Sequence, residues 1–211
     1  SLEELLRSTV ESLTENSVDG IFAPIFWIFI GLISIQYSSY LPGPLSLGFA
    51  YKAISTLDSM IGYKYGNLTY LGFCSAKIED YATFIPCRLV VITLPLVDKY
   101  LNNYFVLLNK VFHEGSKYSS PNAGLSEGIF AHILNIQLGG ENLYSEGKIF
   151  KPLLNPEGNK CTYMSIEIIC NLIIKLLFIW IFIFSSIFFI TQMFYQKYIF
   201  LIIIKLIYLK T

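Results

Sequence analysis

Charged residues are scarce in this chain of 211 residues, where they make up only 14% of the sequence. A soluble domain averages about 25%, whereas hydrophobic residues reach 54% here and the mean hydropathy is +0.56. The formal net charge of +0 also lacks the basic surplus that is typical of nucleic-acid-binding proteins. The composition therefore predicts an integral membrane protein in a lipid bilayer, with no nucleic acid as partner.

Several familiar motifs are missing as well. The four cysteines form no Cys-x-x-Cys pair, so the sequence predicts free thiols rather than a zinc site or a disulfide framework. The glycines form neither a Walker A nor a Gly-x-Gly-x-x-Gly pattern. The chain begins with Ser1 and shows no signal-peptide pattern, and we expect a processed or incomplete chain.

An acidic face stands out near the start of the chain. Leucine and valine residues at near-helical spacing predict an amphipathic helix over residues 1–20 that ends at Asp19-Gly20. Glu11, Glu15 and Asp19 follow one another at i,i+4, and stacked carboxylates repel one another unless a cation lies nearby. Two interpretations stay open: a site for magnesium or a donor-rich substrate, and a solvated acidic face.

Apolar segments divide the rest of the chain and predict one all-α, multi-pass membrane domain over residues 1–211, with polar loops and short helices on one membrane face. Residues 21–51 are uncharged and contain Pro42-Gly43-Pro44, so we expect a membrane segment or hairpin with an even number of passages. Residues 89–108 form an interrupted apolar segment, either membrane-spanning or interfacial. Residues 171–196 are predicted to be a transmembrane helix, and 197–211 a basic-apolar tail on the cytoplasmic side.

Two polar blocks lie between these segments. Residues 52–88 carry charges among aromatic and glycine residues, and costly charges between apolar segments indicate a working surface. The alternative is an ordinary solvated loop. Residues 109–170 form the second block, with glycine, proline and serine loops around a short helix near residues 129–138.

Four stretches together resemble the adenosylcobinamide-phosphate synthase family of cobalamin biosynthesis, the CobD/CbiB type. They are TVESLTENSVDGIFAPIFW (residues 9–27), AISTLDSMIGY (53–63), SAKIEDYATFIPCRL (75–89), and SSPNAGLSEG followed by LGGENLY (119–128 and 138–144). Their order and spacing agree over about three quarters of the chain. The chain differs from the usual pattern at Ser55, where Asn is general, at Glu79, where Asp is general, and at Thr83, where Asn is common.

The resemblance implies an enzyme of the cell membrane whose polar blocks face the cytoplasm. Family members join aminopropanol, generally as its phosphate, to a carboxylate of adenosylcobyric acid, which gives adenosylcobinamide phosphate. Amide formation from a free carboxylate is uphill in water, so the family consumes ATP, and Mg²⁺ is the implied metal.

The resemblance also implies roles for individual residues. Expected catalytic residues are Glu11, Glu15, Asp19, Asp58, Glu79 and Asp80, the first three of them as magnesium ligands. Expected substrate-binding residues are Asn16, Arg88, Lys117, Ser120, Asn122 and Glu127. Simpler roles stay open for three of these: Asn122 as a turn residue, Glu127 as a helix N-terminal charge, and Arg88 as an interfacial snorkelling residue.

Two other functions compete with the ligase. One is a truncated or non-catalytic membrane homologue that acts as a scaffold or partner in corrinoid assembly. The other is a transporter with an intramembrane polar site, which is disfavoured because the charges cluster between the apolar runs rather than inside them.

Overall fold

The computed structural model describes residues 1–61, 69–97, 103–144 and 147–208, and these are mostly helical, as predicted. The elements in chain order are α1 (Leu2–Ser17), a π-helical turn (Val18–Phe22), α2 (Ala23–Tyr37), α3 (Pro44–Ile61), α4 (Thr69–Val97), α5 (Tyr104–Gly115), α6 (Ala123–Leu134), β1 (Leu138–Tyr144), β2 (Gly147–Leu154) and α7 (Tyr163–Tyr208).

The predicted helix end at Asp19-Gly20 is wrong. Helix α1 widens at Ser17 into the π-helical turn and continues into α2 without leaving helical backbone angles. The side chains of Val18 and Phe22 are buried, so packing on both sides of Gly20 outweighs its weak helix propensity. A single turn of π-helix inside an α-helix is frequent at functional sites, and Asp19 lies in this one.

Helices α2 and α3 form a hairpin, which returns the chain toward its starting point. The two helices approach closely at Gly31 because glycine has no side chain. A Cβ atom there would lie only 2.5 Å from Pro44 Cα. The hairpin brings Asp58, near the end of α3, back into electrostatic range of Asp19. The membrane segment or hairpin expected over residues 21–51, with its even number of passages, stays a prediction.

Helix α4 contains Pro86 and Pro95 within its 29 residues. Proline has no N–H group, so it leaves the carbonyl oxygen four residues earlier without its helical partner. For Pro86 that residue is Ala82, whose carbonyl oxygen accepts a hydrogen bond from Nε1 of Trp27 at 3.0 Å. The indole group of α2 therefore satisfies the backbone group that the proline leaves open.

The polar block at 52–88 is largely helical where the structure describes it. It comprises the end of α3 and the first part of α4, and residues 62–68 lie outside the described residues. Residues Gly72–Val97 of α4 are long and apolar enough to cross a membrane. Charges of this block therefore lie inside an apolar helix, contrary to the expectation that they lie between such runs.

The second polar block contains a small antiparallel sheet that the all-α prediction missed. Strands β1 and β2 pair from Leu138↔Leu154 to Tyr144↔Gly147, with an irregularity between Leu138 and Gly140. The helix expected near residues 129–138 is α6, which begins earlier and ends at Leu134, where Asn135 follows as a cap in a left-handed conformation. Residues 98–102 of the interrupted apolar segment expected over 89–108 lie outside the described residues.

The core forms where α1, the π-helical turn, α4, α6 and α7 meet. Trp180 of α7 is 2% exposed, its ring lies 5.0 Å from that of Phe22, and its Nε1 donates to Thr93 Oγ1 at 3.0 Å. Among the described residues, three helical segments are long and apolar enough to cross a membrane, namely Leu2–Tyr37, Gly72–Val97 and Tyr163–Lys197. The last of these includes the predicted transmembrane helix at 171–196.

Candidate active site

Most of the predicted site residues fall into two neighbouring groups on one side of α1. We call Glu15, Asp19, Asp58, Glu79 and Asp80 the acidic cluster. We call Arg7, Glu11, Tyr118, Glu127 and Lys151 the lysine cluster. The acidic cluster joins α1, the π-helical turn, α3 and α4, and the lysine cluster joins α1, α6, β2 and the loop before α6.

The carboxylates of the acidic cluster lie near enough to repel one another. Asp19 interacts electrostatically with the other four members, and Glu79 interacts with Asp58, Asp80 and Glu15. One oxygen of Asp58 is buried and, within the described residues, accepts no hydrogen bond. A group of like charges with an unsatisfied buried oxygen can bind a cation or a hydrogen-bond donor from a ligand.

Asp80 connects the acidic cluster to the loop that precedes α6. Its Oδ1 accepts from Ser120 Oγ at 2.9 Å, and its backbone carbonyl accepts from Asn122 Nδ2 at 2.9 Å. Lys77 lies one helical turn earlier, with its Nζ 3.3 Å from Asp80 Oδ2. The structure therefore brings Asp80, Ser120 and Asn122 together, although 40 residues separate Ser120 from Asp80.

Arg88 extends this connection along α4. Its guanidinium group donates to Asn122 Oδ1 at 3.1 Å, to the Pro121 carbonyl at 3.3 Å and to the Phe84 carbonyl at 2.8 Å. Its Cζ also lies 3.3 Å from the centre of the Phe84 ring. These contacts fix the guanidinium group in place, and they use three of its five N–H donors. Asn122 is therefore more than a turn residue, because its side chain bridges Asp80 and Arg88.

Thr83 and Tyr51 hold Glu79. The Thr83 hydroxyl donates to Glu79 Oε1, and Tyr51 Oη lies 2.9 Å from Thr83 Oγ1. Thr83 is 0% exposed and Tyr51 2% exposed. This chain of hydroxyl groups orients the Glu79 carboxylate from the buried side of α4.

In the lysine cluster, Glu11 is bound by neighbours from three elements. Its Oε1 accepts from the Gly139 N–H at 2.9 Å and lies 3.7 Å from Arg7 Nε, while its Oε2 lies 3.2 Å from Lys151 Nζ. Arg7 also donates to the Glu141 carbonyl. Glu11 is 4% exposed, so its carboxylate is both buried and paired.

Glu127 lies on the other side of Lys151. Its Oε1 is 3.2 Å from Lys151 Nζ, and its Oε2 accepts from the Tyr118 hydroxyl at 3.2 Å. Complete burial raises the pKa of Glu127 to about 7, with Lys151 opposing the shift and Glu11 adding to it. Burial alone would lower the pKa of Lys151, but the carboxylates around it outweigh burial and raise it. The ammonium group of Lys151 therefore stays charged, whereas the raised pKa of Glu127 favours the protonated form of its carboxyl group.

Comparison with known proteins identifies the family. Residues 1–173 match the family model described as "CobD/Cbib protein". The chain belongs to the CobD/CbiB family. The matched range includes every member of the two clusters.

Curated relatives agree with this assignment. The chain is 45% identical over 154 residues to the cobalamin biosynthesis protein CobD of Synechocystis, covering 73% of this chain and 43% of that protein. It is 37% identical over 159 residues to CobD of Listeria monocytogenes serotype 4b, covering 75% and 46%. It is 37% identical over 151 residues to the cobalamin biosynthesis protein CbiB of Salmonella arizonae, covering 71% and 44%. No solved structure matches the chain.

The chain spans about half the length of the curated relatives it matches. Three helices of the described residues are long and apolar enough to cross a membrane, which agrees with a membrane protein of this family.

Two expected site residues of this CobD/CbiB chain lie apart from the clusters. Asn16 and Lys117 have exposed side chains, and no hydrogen bond or ion pair links them to either cluster within the described residues. Their roles stay predictions. The expected magnesium ligands are divided as well, because Glu11 belongs to the lysine cluster, whereas Glu15 and Asp19 belong to the acidic cluster.

The sequence does not predict that several residues of the two clusters belong to the site. Lys151 and Tyr118 lie in a segment that the sequence predicts to be mainly loop. Thr83 differs from the usual family pattern, which predicts no role for it. The one local signal for Lys151 is its place in the apolar run KIFKPLL, where a lysine has a cost unless it is paired.

Proposed function

We propose that this CobD/CbiB chain takes part in the adenosylcobinamide-phosphate synthase reaction, the ATP-dependent ligation of aminopropanol phosphate to a carboxylate of adenosylcobyric acid. The observation that supports it most is the convergence of the four sequence stretches. Asp19, Asp58, Asp80 and Asn122 each come from a different stretch, and contacts or electrostatic interactions connect them. A reaction that joins several polar substrates needs such a meeting point of charged groups.

The acidic cluster fits magnesium bound together with nucleotide phosphates. Within the described residues, no group of three or more His, Cys, Asp or Glu side chains is arranged to hold a metal ion by itself. Mg²⁺ is usually bound through one or two carboxylates plus substrate phosphates rather than in an all-protein cage. Asp58 offers a buried oxygen that accepts no hydrogen bond from the described residues. When bound, magnesium ATP supplies the free energy that amide formation requires.

The residues of this chain then divide the remaining tasks. Glu15 and Asp19 attract the ammonium group of the amine substrate and accept its proton, since an amine must lose a proton before it attacks a carboxyl carbon. The substrate carboxylate would first take a phosphoryl group from ATP, and phosphate would leave as the amide bond forms. Arg88 keeps two donors beyond its three described contacts, and a planar guanidinium group suits a phosphate or a corrinoid carboxylate. Ser120 and Asn122 orient Asp80 and Arg88. The cytoplasm is the proposed side, because ATP is available there.

Mass spectrometry of the corrinoid tests this proposal. The purified chain in detergent is incubated with adenosylcobyric acid, aminopropanol phosphate and magnesium ATP. A mass gain that matches the amide, and that requires ATP, is the expected result. No gain from a folded sample would contradict the proposal for this chain and favour the non-catalytic scaffold.

A further inference from the structure

Lys151 of β2 bridges two helices that do not follow each other in the chain. Its Nζ lies 3.2 Å from Glu11 Oε2 of α1 and 3.2 Å from Glu127 Oε1 of α6. These glutamates are 4% and 0% exposed, so water does little to screen their mutual repulsion. An ammonium group between them replaces that repulsion with two attractions. Lys151 therefore ties α1 and α6 to the β-hairpin.

The backbone of the hairpin is shaped for the same contact. Gly139 has φ +78°, and a Cβ atom there would lie 2.1 Å from the Pro152 carbonyl oxygen. The strand irregularity at this point directs the Gly139 N–H to Glu11 Oε1 at 2.9 Å. A glycine backbone and a lysine side chain of one hairpin thus hold both oxygens of one carboxylate.

The position of Glu11 determines the positions of the acidic residues that follow it. Glu15 and Asp19 lie about one and two helical turns further along the same face of the helix, about 5.4 Å of axial rise per turn. Any rotation or slide of α1 changes how these two carboxylates face α3 and α4. The clamp on Glu11 is thus a constraint on the acidic cluster.

We propose that Lys151 is a positioning residue, which holds α1 through Glu11 so that Glu15 and Asp19 face the carboxylates of α3 and α4. Glu11 is then an anchor for the site rather than a metal ligand. This inference rests on the proposed ligase function where activity is the readout.

The test compares Lys151→Met, which keeps the length of the side chain without its charge, with Lys151→Arg, which restores the charge. Lys160→Met is the matched control, because Lys160 also pairs with a glutamate of α1 but on the surface, 2.7 Å from Glu3 Oε2. We expect Lys151→Met to lower kcat about 100-fold while each KM stays within about twofold, as for a misplaced catalytic group. Lys151→Arg should recover at least about a third of the wild-type kcat, and Lys160→Met should match the wild type.

A second readout does not require activity. Hydrogen exchange should accelerate more in residues 2–17 and 138–154 of Lys151→Met than in residues 163–180. Unchanged exchange in α1 would overturn the proposal, as would a kcat of Lys151→Met within twofold of the wild type. If the wild type forms no amide, the proposed function fails, and the exchange experiment still decides whether Lys151 holds α1.

Discussion

The lysine cluster and the acidic cluster lie on one face of α1, but the charges are paired in the lysine cluster and unbalanced in the acidic cluster. In the lysine cluster, Lys151 and Arg7 lie against Glu11 and Glu127, and the carboxylates are paired and buried. In the acidic cluster, the carboxylates repel one another. In the described residues, Lys77 pairs with Asp80, and Lys151 attracts Glu15 from the neighbouring cluster. Paired charges fix a structure, whereas unbalanced charges cost stability and are typical of sites that bind or react. We therefore propose that the two clusters differ in purpose: the lysine cluster anchors α1, and the acidic cluster binds substrates or reacts with them.

Glu15→Gln should give the largest loss of activity. It distinguishes most clearly between a cluster that reacts and a cluster that anchors α1. The substitution removes a carboxylate from the acidic cluster while it keeps the shape of the side chain. We expect amide formation to fall roughly 10³-fold or more, with no loss of thermal stability because one repelling charge is gone. Product formation is followed by mass spectrometry and folding by thermal unfolding in detergent. Full turnover by this variant would remove Glu15 from the mechanism.

Lys151→Met, in contrast to Glu15→Gln, should lower the stability of the folded state. It leaves two buried carboxylates without their shared cation, which costs about 3 to 5 kcal/mol of unfolding free energy. The double variant Lys151→Met/Glu127→Gln should recover part of this loss, since one uncompensated charge is gone. Denaturant unfolding of both variants measures the difference. Equal stability of the single variant and the wild type would mean that the lysine cluster is no anchor.

The backbone part of the anchor is tested by Gly139→Ala. The new Cβ atom would lie 2.1 Å from the Pro152 carbonyl oxygen at a positive φ, so we expect a loss of about 2 to 3 kcal/mol. Gly20→Ala is the control, because a Cβ atom there meets nothing within 4 Å. It should leave stability unchanged or raise it by up to about 1 kcal/mol. Similar losses in both variants would contradict the specific role of Gly139.

The pH dependence of stability should also differ between wild type and Glu127→Gln. Because the pKa of Glu127 is raised to about 7, the folded state keeps a proton that the unfolded state releases above about pH 4.5. Relative to the Gln variant, the wild type should lose about 2 kcal/mol of stability as the pH rises from 5 to 7. Unfolding midpoints at several pH values measure this difference, and parallel profiles would contradict the raised pKa.

The membrane character and most helices could be predicted from the sequence because they depend on local composition. The uncharged run in α7 and the apolar spacing of α1 are examples. The continuation of α1 through Asp19-Gly20 could not, since it depends on the burial of Val18 and Phe22 by distant parts of the chain.

The sequence predicts only part of the candidate site, because the rest also depends on contacts between distant parts of the chain. The family pattern pointed to Asp80 and Asn122, which the structure brings together. It gave no reason to pair Glu11 with Lys151, which is 140 residues away. It also gave no reason to divide Glu11 from Glu15 and Asp19, because helical spacing reports a shared face but not what packs against each turn. The sequence does not predict the small sheet that supplies Lys151, because its two strands have no clear alternation of apolar and polar residues.

The division between an anchoring and a working cluster is tested most directly by comparing Glu11→Gln with Glu15→Gln. One experiment records both amide formation and thermal unfolding. We expect Glu15→Gln to be as stable as the wild type and to form amide at least about 10³-fold more slowly. We expect Glu11→Gln to be less stable and still to form amide at temperatures where it is folded. The reverse result, an inactive but stable Glu11→Gln beside an active Glu15→Gln, would contradict the division between anchor and working cluster.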